Sequence, residues 1–327
     1  MQRNNLLLCA VAAGLCACGG SQGYTIEGPA GDEGYAVLRI IRFEGEVEKD
    51  TVALRDGKFR FTGVTDDVYM GDVTVFEKEK EPVRYSLLVE NSPLVLSDGQ
   101  FKGGPNNDFM LDMDAVSAGL DQEAPNYREQ LATAMNACFA AHPDIEAAAF
   151  YYYVFNRETP IGPYEEGFNL FTQRVQESAL GKNAREEIRA RKATGEGVPA
   201  PLFTLNDANG NPVSLESLRG HYVLLDFWAS WCIPCRESMP YVKSLYAAYH
   251  SKGLEILGIS TDSDAKAWHK AMEEIDTPWL HVIDTDTVAK LYGVHAIPTF
   301  FLIDPEGVMV GKMEHEELED RLHRLLD

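Results

Sequence analysis

The sequence predicts a chain in three parts: an antiparallel β-rich domain over residues 24–104, a helical region over 105–193 and, after a linker at 194–198, an α/β domain over 199–327 with a central mixed sheet flanked by helices. Three observations carry this prediction. Between residues 24 and 99, short alternating apolar runs are separated by turn signals. From about 106 to 192 the apolar spacing becomes helical. Beyond 199, near-continuous apolar runs alternate with helical stretches, as buried strands of an α/β sheet do.

The chain opens on a targeting signal. Arg3 gives a short positive start, and residues 6–17 are an apolar run too short to span a bilayer. The run ends in Leu15-Cys16-Ala17-Cys18, followed by Gly19-Gly20-Ser21. This resembles the bacterial lipobox, whose cysteine becomes the lipidated first residue of the mature protein. The resemblance makes residues 1–18 a lipoprotein signal peptide, Cys18 the lipidation site and residues 19–23 a tether. Cys16 departs from the usual residue at the second lipobox position, and the competing reading is secretion with cleavage nearby. The expected location is the cell envelope, with a lipid anchor in a membrane and the protein facing the periplasm. No other stretch is long and apolar enough to cross a bilayer.

In the β-rich part, residues 35–43, 69–76, 84–89 and 94–96 read as strands, and 50–64 as a hairpin about Asp56-Gly57. A small antiparallel sandwich or barrel results. It holds no Ser/His/Asp set, metal cluster or phosphate loop, so docking or spacing is its default role. Residues 127–140 then take helical spacing, and His142-Pro143-Asp144 breaks the chain. Residues 145–155 carry Phe150, Tyr151, Tyr152, Tyr153 and Phe155, a cluster better read as core packing than as a binding groove. Residues 168–191 are a further helix or helix pair, and Thr194-Gly195-Glu196-Gly197 is the linker.

The last part begins with a hairpin, residues 202–205 and 212–215 about Asn209-Gly210-Asn211. Residues 254–260 read as a buried strand, 264–275 as a helix, 279–283 as a strand and 287–292 as a helix. Residues 300–303 and 308–312 close the sheet as a hairpin, and 316–326 form the final helix.

The stretch that organises this part is LLDFWASWCIPCRESMP, residues 224–240. It reads as an apolar strand, a sharp turn with Cys232 and Cys235, and a helix start. A helix beginning between two cysteines puts the first at the exposed helix N-terminus, where unpaired N–H groups and the helix dipole favour a thiolate. The second falls inside the first turn, close enough to close a disulfide. Cys232 is then the attacking sulfur and Cys235 the resolving one, with Pro234 tolerated early in the helix. A lone Cys-X-X-Cys serves equally as half of a zinc site. However, no cysteine follows Cys235, and His221, His269, His281 and His295 show no paired ligand spacing, so no metal is expected. Three further residues favour redox chemistry. Asp226 lies six residues before Cys232, where a buried carboxylate exchanges a proton with Cys235. Pro240 follows Cys235 by five and would kink the helix. Pro298, in HAIPTFFLID, opens another apolar strand as a cis-proline facing the disulfide would.

This set resembles the thioredoxin superfamily. With GHYVLLDFWASWCIPC it is similar above all to the TlpA/ResA group of membrane-anchored thiol–disulfide oxidoreductases. The resemblance covers about the last 130 residues, roughly one domain. It implies a thioredoxin-like fold with an N-terminal hairpin and a central insertion before Pro298. It also implies a β-rich domain of unestablished role in front, as in many bacterial lipoproteins. Chemically, it implies that Cys232 attacks a substrate disulfide, Cys235 resolves, and Asp226 handles the proton of Cys235. Trp231, Ile233, Pro234 and Ile297 would meet the substrate, while Trp228 is as well explained by packing. Plain thioredoxins set a lysine on the neighbouring strand beside the acid; the matching position here is Gly258, so the Asp226 carboxyl is expected to have a raised pKa. Many of the group carry a glutamate three residues after the second cysteine; here Ser238 stands there and Glu237 one place earlier.

No cofactor beyond the Cys232–Cys235 disulfide is expected. The expected partners are exported protein thiols or disulfides and a membrane or periplasmic electron donor. The net charge of −22 argues against nucleic acid and against a basic membrane-binding patch. Cys138 reads as a buried free cysteine. Two other functions compete. A peroxidase of the peroxiredoxin type needs a threonine and a proline just before its reactive cysteine, where Ser230 and Trp231 stand. A binding lipoprotein would have no need of an intact cysteine pair.

Overall fold

Two four-stranded sheets make up the β-rich part in the computed structural model, which describes residues 23–42, 45–285 and 287–327. Their strands are β1 (Tyr24–Pro29), β2 (Gly34–Ile41), β3 (Val47–Ala53), β4 (Lys58–Gly63), β5 (Tyr69–Glu77), β6 (Val83–Val89), β7 (Pro93–Ser97) and β8 (Gln100–Lys102), in the orders β4-β1-β7-β8 and β3-β2-β5-β6. Period-two alternation aims Ile26, Phe59, Phe61 and Leu94 of the first sheet and Leu38, Ile40, Val73 and Leu87 of the second into one shared core. Each such side chain contributes about 1.5–3 kcal/mol by leaving water. The second sheet is antiparallel throughout. In the first, β1 pairs antiparallel with β4 but parallel with β7. The arrangement is a sandwich.

The turn at Asp56-Gly57 forms as its residues demand, with φ of 52° and 72°. The strands it joins do not pair as a hairpin, however. β3 pairs with β2, and β4 with β1. β3 is exposed over most of its length, whereas β4 turns Phe59 and Phe61 inward. The turn therefore carries the chain from the edge of one sheet to the edge of the other. The end of the strand expected over 35–43 lies outside the described residues, as does Cys18.

Six helices follow among the described residues: α1 (Pro105–Ala118), α2 (Tyr127–Ala141), α3 (Glu146–Phe155), α4 (Ile161–Phe168), α5 (Gln173–Glu177) and α6 (Lys182–Ala193). The chain divides into two compact units. One takes in the β-rich part through Tyr152 together with Phe171–Gly181; the other is Tyr153–Leu170 with Lys182–Asp327. The helical stretch is thus shared out: α1, α2 and α5 belong to the first unit, α4 and α6 to the second, and α3 crosses the division. Within the first unit the buried Glu90 carboxylate accepts from the backbone and side-chain amides of Asn106 and Asn107, and Asn106 accepts from the Ala147 N–H. This ties α1 and α3 to the end of β6. Tyr152 packs edge-on against Phe139 and Phe171, the core role expected of the aromatic cluster.

The second unit is built on a seven-stranded mixed sheet. Its strands are β9 (Thr204–Asp207), β10 (Pro212–Ser214), β11 (Tyr222–Trp228), β12 (Leu254–Ser260), β13 (Leu280–Ile283), β14 (Thr299–Ile303) and β15 (Met309–Met313), in the order β10-β9-β13-β12-β11-β14-β15. β11, β12 and β13 are parallel, and the flanking pairs are antiparallel. β11 is buried on both faces. Leu224, Asp226 and Trp228 share one face and Val223, Leu225 and Phe227 the other, which explains a near-continuous apolar run broken by one acid. The Leu224 face is covered by α7 (Ile233–Tyr249), α8 (Ala265–Ile275) and α10 (Leu318–Leu326), through Val242, Leu245, Trp268 and Leu322. The opposite face packs on α9 (Thr287–Leu291) and Tyr292. The N-terminal hairpin, the insertion carrying α8 and β13, and the closing hairpin all stand where the sequence places them. The fold is thioredoxin-like.

Candidate active site

β11 ends at Trp228 and α7 begins at Ile233, so residues 229–232 must reverse the chain within one turn. Asp262, just past β12, holds this turn. Its carboxylate accepts from the Ser230 N–H at 2.8 Å and the Ser230 hydroxyl at 2.7 Å. The Ser260 hydroxyl donates to it at 2.7 Å, and the Thr261 N–H donates to the Trp228 carbonyl at 2.9 Å. The Ser230 bonds tie the turn to the segment just past β12, the Thr261 bond ties the end of β11 to the same segment, and the Ser260 bond orients the Asp262 carboxylate.

Cys232 is the N-cap of α7, with Ile233 and Pro234 opening the helix. Cys232 and Cys235 form a disulfide, with their Cα atoms 5.3 Å apart. The Cys235 N–H donates to the Cys232 sulfur at 3.2 Å. This is one of the otherwise unpaired amides of a helix N-terminus, and it holds negative charge on Cys232 once the pair is reduced. Both cysteines are buried, whereas Trp231 and Ile233 on either side are each 67% exposed. The reactive sulfur is therefore recessed between two exposed apolar side chains, where the sequence alone suggested an exposed one.

The Ile297–Pro298 peptide is cis, and the Ile297 carbonyl oxygen lies 3.7 Å from the Cys232 sulfur. The segment before it is held by α6, whose Glu187 carboxylate pairs with His295, and by Tyr153 near the end of α3, which packs edge-on against the His295 ring. Pro240 lies inside α7, where its missing N–H leaves the Arg236 carbonyl without its helical partner. The Ser238 hydroxyl donates to the Cys235 carbonyl at 2.8 Å, and Glu237 is exposed.

Asp226 is 2% exposed and lies on the sheet face that α7 covers. Burial alone pushes its carboxyl up to about 7. Its register partners are Gly258 on β12 and Phe300 on β14, neither of which carries a polar side chain. The site thus combines a recessed disulfide at a helix N-terminus, a backbone carbonyl beside it, and a buried acid whose carboxyl is pushed up to about 7.

Cys138 is buried in α2, with its sulfur 3.9 Å from His142 Nδ1. Among the described residues no group of three or more His, Cys, Asp or Glu is arranged to hold a metal ion. No helix among them is long and apolar enough to cross a membrane. Sequence reasoning missed Asp262 and the Glu187–His295 pair. Asp262 had one available signal, an acid just past a buried parallel strand, where such sheets gather their functional groups. The Glu187–His295 pair had none, since its partners are 108 residues apart.

Residues 197–312 match the AhpC/TSA family. The chain is similar to the thiol–disulfide oxidoreductase ResA of Bacillus subtilis (strain 168), with 36% identity over 147 residues, which is 44% of this chain and 82% of the relative. It is also 36% identical over 154 residues to the ResA of Geobacillus thermodenitrificans (strain NG80-2), covering 45% of this chain and 88% of the relative. Among solved structures it is similar to the thioredoxin domain of a thiol–disulfide oxidoreductase from Bacteroides vulgatus. That match has 36% identity and a TM-score of 0.38, covering 41% of this chain and 99% of that one.

Proposed function

Because this chain belongs to the TlpA/ResA-like thiol–disulfide oxidoreductases of the thioredoxin family, we propose that it works at the membrane as a reductant of exported proteins. The observation that carries this reading is the Cys232–Cys235 disulfide at the N-terminus of α7, with the Cys235 amide on the Cys232 sulfur. The reduced pair delivers two electrons. The Cys232 thiolate attacks one sulfur of a substrate disulfide, forms a mixed disulfide and expels the other substrate sulfur as a thiolate. Cys235 passes its proton to Asp226 and attacks the Cys232 sulfur. The second substrate thiolate leaves, and the pair is oxidised. An electron donor in the membrane or periplasm, carrying a dithiol, restores it by the same exchange.

Ile233-Pro234 and Ile297 support the reducing direction. Trp231, Ile233 and Pro234 form the apolar rim on which the substrate segment rests, and the Ile297 carbonyl and cis-Pro298 align its backbone. The leader over 1–18 supports export, and Cys18 carries the lipid that keeps the protein at the membrane facing the periplasm.

The reduction potential of the pair, equilibrated against glutathione, tests the direction. A value near thioredoxin's, about −270 mV, supports a reductant, and a value toward about −120 mV makes the protein an oxidant. A Cys235→Ala variant should accumulate mixed disulfides through Cys232 in the cell envelope. A Cys18→Ala variant should lose fatty-acid labelling. Unchanged labelling would remove the anchor from this reading.

A further inference from the structure

The position beside Asp226 has no side chain, yet it is not vacant. Asp226 pairs with Gly258 across β11 and β12, and Gly258 pairs with His281 across β12 and β13. Residues in register on neighbouring parallel strands point to the same face, so Asp226 and His281 share a face with Gly258 between them. The His281 ring fills that gap: an ideal Cβ on Gly258 would stand 2.2 Å from its Nδ1. From β13 the ring reaches across β12 to Trp228 on β11, at a centroid distance of 5.2 Å. Nδ1 therefore sits over Gly258, between β13 and the Asp226 position on β11, and makes no direct hydrogen bond to the carboxyl.

The bonding of the ring gives this placement a direction. Nε2 lies 2.6 Å from the Thr277 hydroxyl, while Nδ1 is buried and has no hydrogen-bond partner. With Thr277 donating to Nε2, the single proton of a neutral imidazole sits on Nδ1. A buried N–H is rarely left orphaned, and Asp226 is the acceptor on the same face. We propose that His281 is a positioning residue for the proton step at Cys235: its Nδ1–H, through one bridging water, holds the Asp226 carboxylate in the place that a strand lysine would otherwise serve. The proton balance is simple. Cys235 gives its proton to the Asp226 carboxylate before attacking Cys232, and Asp226 returns it when the pair is next reduced, so His281 orients the carboxylate without gaining or losing charge. Burial supports this, since it pushes the His281 imidazole down to about 4 and so keeps it neutral, and no charged group contributes to either residue's shift. Cys235 of α7 belongs to the buried cluster on this face; the Thr277 hydroxyl bonds the ring, the indoles of Trp228 and Trp279 pack against it, and Phe300 stands opposite Asp226.

This inference rests on the reading that Asp226 serves Cys235. Its test is a carboxyl titration of Asp226, followed by NMR in the oxidised protein labelled at aspartate, which needs no substrate. Two variants separate orientation from packing. His281→Asn keeps an amide N–H at the place of Nδ1 and gives up the Thr277 bond. His281→Gln keeps a polar atom at the place of Nε2 and gives up Nδ1. The expected result is that Gln raises the Asp226 pKa by about half a unit or more, while Asn leaves it near the wild-type value. The acidic, ascending limb of the pH–rate profile for the resolving step should follow. An Asp226 titration that is unmoved in both variants, or shifted equally in both, overturns the proposal. Asp226→Asn turnover equal to wild type would instead reject the underlying reading, whatever the titrations show.

Discussion

Asp226 faces Gly258 in direct register across the β11–β12 pair, so the strand position that could set a cation beside the buried carboxyl bears no side chain. With the folded-state pKa near 7 and an unfolded value near 3.8, the folded protein keeps a proton that the unfolded chain releases between those values. Stability tied to this group is full below about pH 4, is lost as pH rises toward 7, and is then lower by roughly 4 kcal/mol. An Asp226→Asn variant lacks this dependence. Calorimetry of the oxidised proteins at pH 4.5, 6 and 8 should find the variant gaining on wild type at each step. A difference that does not change with pH would mean that the carboxyl titrates normally.

The same geometry makes Gly258 intolerant of a side chain. A methyl group there meets the His281 ring at 2.2 Å, with strand backbone on both sides to resist a shift. Gly258→Ala should destabilise the protein by about 1–3 kcal/mol through overpacking. In a His281→Ala background the same change should cost much less, because the ring it strikes is gone. Urea unfolding of the four proteins measures this coupling, and a Gly258→Ala cost equal in both backgrounds would place the clash elsewhere.

Much of the C-terminal unit can be read in the chain because its determinants are local. The buried strands are continuous apolar runs, and the Cys232–Cys235 spacing fixes a helix start. Even the Asp226–Gly258 match was legible through the resemblance, which sets a lysine on the neighbouring strand beside the acid where this chain has Gly258. What could not be read depends on distant residues. His281 shares a site with Asp226 only because Gly258 lets its ring lean across a strand, and the helical spacing of 182–193 does not say that Glu187 will find His295. Likewise Asp56-Gly57 specifies a tight turn, while the burial of Phe59 and Phe61 decides that its two arms enter different sheets.

Asp262 offers a prediction about the turn itself. It accepts both donors of Ser230 as well as the Ser260 hydroxyl, and it is 2% exposed. Asp262→Ala leaves buried donors unpaired and should cost about 1–3 kcal/mol. Because the turn positions Cys232 against Ile297, the rate of mixed-disulfide formation should fall further than stability alone explains. Stopped-flow exchange with a small disulfide, at a temperature where the variant is fully folded, isolates that loss. Wild-type exchange rates there would reduce Asp262 to a stabilising role.

Trp231 and Ile233 flank a disulfide whose own atoms are almost covered, and each is exposed to 67%. Apolar side chains held in water beside a recessed sulfur gain only when something covers them, and a polypeptide docking on Cys232 does so. A small disulfide reaches the sulfur without covering them. Trp231→Ala should therefore raise KM for a disulfide-bonded protein roughly ten- to thirtyfold, the scale of losing an aromatic anchor. Exchange with a small disulfide such as oxidised dithiothreitol should change little. Ile233→Ala should act in the same direction and more weakly, since it buries less area. If both substrates slowed equally, Trp231 would be acting on the cysteine pair itself rather than on the docked chain.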